Sequence, residues 1–117
     1  MIAISLGGFF TVADVEAFGR ELAAQRRLLR CARNQHLTLC DVSAMKIQTQ
    51  EVVAAFAALA GDPAGQSRRM AMIVGSSLAR LQTQRVASRD ATAMFRDAAS
   101  AEDWLFEEER PALRLRA

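Results

Sequence analysis

Met70-Ala71-Met72-Ile73-Val74, followed at once by Gly75-Ser76-Ser77, is the stretch that decides the fold. Five consecutive apolar residues bounded by a turn signal read as a strand covered on both faces, and the best candidate for the centre of a sheet. Gly75-Ser76-Ser77 then turns the chain into a helix whose inward positions are Leu78, Leu81 and Val86. The same unit recurs on either side. Upstream, Leu37–Val42 (LTLCDV) is another covered strand. A loop with Ser43 and Lys46 follows it, then a helix capped by Thr49 with Val52, Val53, Phe56 and Leu59 as its apolar stripe. Gly61-Asp62-Pro63 ends that helix, because proline cannot continue the hydrogen-bond ladder.

Further out, Met1–Leu6 is a short apolar edge strand broken by Gly7-Gly8. Thr11 and Asp14 have the spacing of a capping box. They open a helix with Val15, Phe18, Leu22 and Leu29 on its apolar side, and Arg20, Arg26, Arg27, Arg30 and Arg33 on its polar side, ending near Asn34. On the other flank Ala91–Phe95 is a fourth strand. Ser100 and Asp103 repeat the capping spacing before a last helix with Trp104, Leu105 and Glu107-Glu108-Glu109. The order β-α-β-α-β-α-β-α predicts an α/β domain: a four- or five-stranded, mostly parallel sheet with an N-terminal edge strand and about four helices on its two faces. The domain spans 1–110, and 111–117, after Pro111, is a frayed tail.

Composition narrows the function. At 51% apolar and 24% charged residues the chain suits a globular domain. A net charge of +2 gives no ground for a nucleic-acid partner. All basic residues but Lys46 are arginine, which suits phosphate or carboxylate recognition and equally reflects base composition in an alanine-rich chain. Cys31 and Cys40 fit neither a metal knuckle nor a CxxC redox pair. Cys40 reads as a small buried hydrophobe, and two free thiols suit the reducing cytoplasm. No window is long and apolar enough for a membrane span, and Met1–Phe10 lacks the basic start of a signal peptide.

Four stretches together resemble a known family. They are GFFTVADVEAF from Gly8 to Phe18, LTLCDVS ending at Ser43, RRMAMIVGSS from Arg68, and FRDAASAEDWL from Phe95. In order and spacing they resemble the bacterial SpoIIAA-like family, a STAS-type fold related to anti-sigma-factor antagonists, over nearly the whole chain. The resemblance implies a small mixed sheet packed with helices, and a role in regulatory protein binding or in binding lipid-like or other apolar ligands. The regulatory branch carries an Asp-Ser-Ser-Gly type turn with a phosphorylatable serine. Here the stretch reads Ile47-Gln48-Thr49-Gln50: Gln48 stands in place of the acid, and Thr49 is the one hydroxyl left.

Ligands of open α/β sheets sit beyond the carboxyl ends of the strands. Those ends carry Asp41, Ser43, Gly75, Ser76, Ser77, Arg96 and Asp97. Gly75, Ser76 and Ser77 head a helix, where unpaired N–H groups and the dipole favour an anion, with Arg80 one turn on. The same serines also serve as an ordinary N-cap. The candidate ligand set is therefore Gly75, Ser76, Ser77, Arg80, Ser43 and Arg96. Asp41 is a candidate base or metal ligand, or an acceptor for neighbouring N–H groups. His36 precedes its strand, at the far end of the sheet from this site, and reads as a surface-loop residue. Met45, Met70, Met72 and Met94 suit an adaptable apolar pocket or plain core.

No catalytic set, metal site or cofactor motif emerges. The expectation is a non-enzymatic regulatory or ligand-binding module, cytoplasmic and homodimeric through its uncharged edge strand. Its partner is a protein or a small apolar or anionic ligand. The alternative is a small enzyme acting on a phosphate- or carboxylate-bearing substrate at the carboxyl ends of the strands.

Overall fold

The computed structural model describes residues 1–75, 77–86 and 91–107, and of 77–79, 85 and 86 the backbone alone. Strands β1 (Ile2–Gly8), β2 (Leu37–Met45), β3 (Arg69–Ile73) and β4 (Thr92–Phe95) alternate with helices α1 (Val12–Arg27), α2 (Gln50–Ala60), α3 (Ser77–Val86) and α4 (Ala98–Leu105). A single turn of 3-10 helix at Pro63–Gly65 follows α2. The four strands form one sheet in the order β1-β2-β3-β4, and all three pairings are parallel. The predicted α/β class, the edge position of β1 and the helices on both faces are what the structure has.

Strand order follows chain order, so right-handed crossovers carry the three connecting helices to one face. Among the described residues α4 is the helix that covers the other. On its face Leu37, Ala71 and Ile73 meet Ala101 and Leu105, with Leu39, Phe95, Trp104 and Phe106 around them. Ala71, Ala101 and Leu105 are 0% exposed. Burying Leu105 contributes about 1.5–3 kcal/mol. Arg69 closes this cluster: its guanidinium carbon lies 3.8 Å from the centre of the Trp104 ring, and Glu107 is 3.8 Å away. Trp104 in turn packs on Phe95, with ring centroids 5.7 Å apart.

The caps explain most boundaries. Thr11 and Asp14 form the predicted capping box: Asp14 N–H donates to Thr11 Oγ1 at 3.1 Å, and Thr11 N–H to Asp14 Oδ2 at 2.8 Å. Thr49 Oγ1 accepts from Val52 N–H, as predicted for α2.

Several boundaries differ from expectation. α1 stops at Arg27 rather than Asn34. Asn34 adopts a positive φ of 62°, which asparagine tolerates, and its amide donates to the carbonyls of Pro63 and Gln66. Those bonds tie the segment after α1 to the turn before β3. β1 runs through Gly7 and Gly8, which pair with Ala44 and Met45, so β2 also extends past Val42 and Ser43 lies in a strand, not a loop. α4 is capped by Asp97 rather than Ser100, with Ser100 N–H donating to Asp97 Oδ1 at 2.8 Å. Leu81 is 57% exposed, not inward. Gln82 and Thr83 take the inward positions, because Gln82 bonds the backbone of Gln48. The expected inward Leu78 and Val86 side chains, the end of the domain at residue 110 and the tail at 111–117 lie outside what is described.

Candidate functional site

Between the sheet and the three connecting helices lies a cavity of about 150 Å³. Its floor is Ile4 and Leu6 of β1, Cys40 and Val42 of β2, and Met70 and Met72 of β3. Its roof is Phe18 and Leu22 of α1 with Val53, Phe56 and Leu59 of α2. α1 and α2 close over it as a pair. Phe56 meets Phe10 edge-on at 5.3 Å and Phe18 at 6.3 Å. Gly19 lets Leu59 approach, since a β-carbon there would lie 3.1 Å from Leu59 Cδ1.

The two ends of the cavity are polar. At the amino ends of the strands Arg26, His36, Gln66 and Ser67 line it. At the carboxyl ends Lys46, Gln48, Gln82 and Thr83 do. Gln48 cross-links this second end. Its amide donates to the carbonyls of Gly8 and Lys46, and its Oε1 accepts from Phe10 N–H at 2.9 Å. Its backbone exchanges two hydrogen bonds with the Gln82 side chain, both 2.9 Å. One residue thus joins the end of β1, the chain before α2, and α3.

A β-bulge shapes the floor. Ser5 pairs with Asp41 but Gly7 with Ala44, so β2 has one residue too many there. The Asp41 carboxylate holds the extra residue: its Oδ1 accepts from Ser43 N–H at 2.9 Å and Ser43 Oγ–H at 2.6 Å. Strict alternation would turn Met45 away from the side that Val42 faces, yet both line the cavity. Burial pushes the Cys40 thiol up to about 12, with the adjacent Asp41 carboxylate adding to the effect. Cys40 is therefore a neutral, unreactive wall of the cavity at ordinary pH.

The cavity is not where the sequence placed the site. Ser43 is exposed and bonded to Asp41, and the pair stands outside the cavity. Gly75 packs on Ser43, where a β-carbon would come within 2.9 Å of the Ser43 carbonyl oxygen. Arg80 and Arg96 are exposed. Ser76 and the side chain of Ser77 lie outside the described residues. Asp97 caps α4. His36 is a correction: it is buried and lines the cavity, because the backbone bond from Arg68 N–H to its carbonyl holds it at the head of β2. Arg26 is another, since it lines the cavity instead of lying on the polar side of α1. Its signal was present: Phe18, Leu22 and Arg26 are each four residues apart, on one helical stripe. Met45, Met70 and Met72 line the cavity and Met94 does not, and all four pack in the core cluster with Cys40, Val42 and Val74, so the plain-core reading of the methionines holds alongside the pocket one.

Among the described residues no three His, Cys, Asp or Glu side chains gather as a metal set, and no helix is long and apolar enough to cross a membrane. No protein family, curated protein or solved structure matches this chain.

Proposed function

We propose that this chain is a non-enzymatic, STAS-like regulatory or ligand-binding module of the cytoplasm, and that it holds a small, mainly apolar molecule between its sheet and α1–α2. The observation that carries this reading is the apolar cavity of about 150 Å³ with polar groups only at its ends. Apolar cavities of this size take up molecules of about benzene's bulk. Few, placed polar groups on a mostly apolar wall are the ordinary build of a ligand site. Two free cysteines, one of them exposed, favour a reducing compartment. The rival enzyme reading would draw on Asp41 and Ser43, which stand in the open rather than in a cleft.

Native mass spectrometry of the purified protein tests the proposal, with Cys40→Phe as the comparison because its ring would occupy the cavity. The expected result is a small-molecule adduct, or uptake of added apolar probes, in the wild type and its loss in a folded Cys40→Phe. Equal uptake by both, or none by either, would overturn it. The same spectra report subunit number. A homodimer is the favoured state, since β1 offers an uncharged free edge and leaves Ala3, Ser5 and Gly7 exposed.

A further inference from the structure

We infer that the occupant of the cavity carries a single carboxylate on an apolar body and seats that carboxylate on Arg26. This rests on the cavity being a ligand site, as proposed above. α1 returns from the carboxyl end of β1 to the amino end of β2, so its last turn lies at the amino ends of the strands. Arg26 is in that last turn, continues the Phe18–Leu22 stripe and lines the cavity.

The guanidinium has a fitted seat. Its Nη1 donates to the Gly65 carbonyl at 2.9 Å. A β-carbon on residue 65 would lie 1.8 Å from that nitrogen, the tip of a flexible side chain, so a larger residue there would push the guanidinium aside. The seat itself is held, because Asn34 Nδ2 donates to the carbonyls on both sides of Gly65, Pro63 at 3.0 Å and Gln66 at 2.7 Å. A guanidinium has five donors, and among the described residues this one uses a single donor on the protein. Among the described residues no carboxylate pairs with it. A half-buried cation anchored on one donor with the others spare is what a planar, bidentate carboxylate complements.

Lys46, at the other end, is exposed and offers only a mobile, hydrated point charge. One fixed cation matches one negative charge. A phosphate, at about −1.5 to −2, would bring more charge than this end neutralises. The body follows from the walls: an apolar space of this bulk takes about a benzene's worth of carbon, an arene or most of a medium-length alkyl chain.

Calorimetric titration with octanoate, octanol and octyl phosphate tests the assignment on the wild type, Arg26→Met, Gly65→Ala, Lys46→Met and Cys40→Phe. Arg26→Met keeps the apolar stem and removes the charge. Gly65→Ala leaves Arg26 in place but unseats it. Octanoate should bind the wild type about tenfold tighter than octanol, and tighter than octyl phosphate. Arg26→Met and Gly65→Ala should each weaken octanoate by about 10- to 100-fold and move octanol by less than about threefold. A preference for the acid that survives Arg26→Met, or that vanishes in Lys46→Met instead, would overturn the assignment. So would octanol or octyl phosphate binding the wild type as tightly as octanoate; the cavity reading would then stand without its head-group site. No binding of any of the three, with Cys40→Phe indistinguishable from the wild type, would overturn both.

Discussion

Under α4 the sheet presents Leu37, Ala71 and Ile73, and the helix answers with Ala101 and Leu105. Alanine on both partners lets the helix settle onto the strands. Under α1 and α2 the sheet presents Ile4, Cys40, Val42 and Met72, and the helices answer with Phe18, Leu22, Phe56 and Leu59. These helices lean on each other through their aromatic rings and leave a hollow beneath. The same four strands therefore have one side packed for stability and one side left open to hold something. Packing to full density is the default of protein interiors, so the open side is the one that calls for a functional account.

The comparison can be broken by truncation. Leu105→Ala should cost about 2–5 kcal/mol, because the cavity it leaves is walled by close-packed neighbours. Leu59→Ala, on the hollow side, removes the same atoms next to an existing space and should cost about 1 kcal/mol. Urea unfolding of the two variants gives the ratio, and equal losses would contradict a difference between the faces. Filling works in the opposite sense. Ala71→Leu should destabilise by about 1–3 kcal/mol through overpacking. Cys40→Leu should be neutral or stabilise by about 1 kcal/mol, since its added carbons enter free space. Thermal melts separate the pair.

Gln48→Glu probes the closure of the hollow side. It replaces an amide donor by a carboxylate facing the Gly8 and Lys46 carbonyls, and should cost about 1–3 kcal/mol in chemical unfolding. Cys40 then sharpens the contrast by titration. The unfolded thiol ionises near its ordinary value of 9.0, whereas the folded thiol holds its proton to about 12. The folded state binds the extra proton across that window, so stability should fall as pH rises from 9 towards 12, and Cys40→Ala should remove that slope. In a thiol-reagent assay at pH 8 the exposed Cys31 should react in the native protein and Cys40 only after unfolding. The smallest effect belongs to the packed side. Ser100, through its backbone N–H and then its hydroxyl, holds Asp97 below the usual carboxylate value. The stabilisation is complete above the ordinary aspartate value of about 3.9 and is lost as pH falls through the lowered folded value. Asp97→Asn should remove a small part of the acid sensitivity seen in thermal melts.

What the sequence revealed followed the range of the forces involved. The Thr11–Asp14 capping box and the Thr49 cap lie within four residues, and both were legible. Two overlapping cap patterns, Asp97 with Ser100 and Ser100 with Asp103, were equally written at α4. The end of β4 at Phe95 chose the first. A mostly parallel sheet of four or five strands followed from apolar runs alternating with helical stripes; the exact count and the strand order did not. The cavity did not, because a stripe of Phe18 and Leu22 reads the same whether it meets a sheet or a space. Gln48 looked like a missing acid in a turn. Its role depends on Gly8, Phe10 and Gln82, all far along the chain, and no local pattern encodes such a junction.

The bulge in β2 sets a length. A strand alternates its side chains like a two-beat rhythm, and the extra residue between Val42 and Met45 is a skipped beat that brings Met45 back onto the side of the hollow. Deleting Ala44 would restore the rhythm, leaving Met45 on the side of the hollow but two residues after Val42 instead of three, and would draw the Gln48 clasp one residue closer to Cys40. The floor would be one residue shorter while the Arg26 end stayed as it is. A single residue in an edge pairing thus works as a gauge stop: it fixes how long a molecule can lie along β2, independently of the chemistry that grips it at the other end.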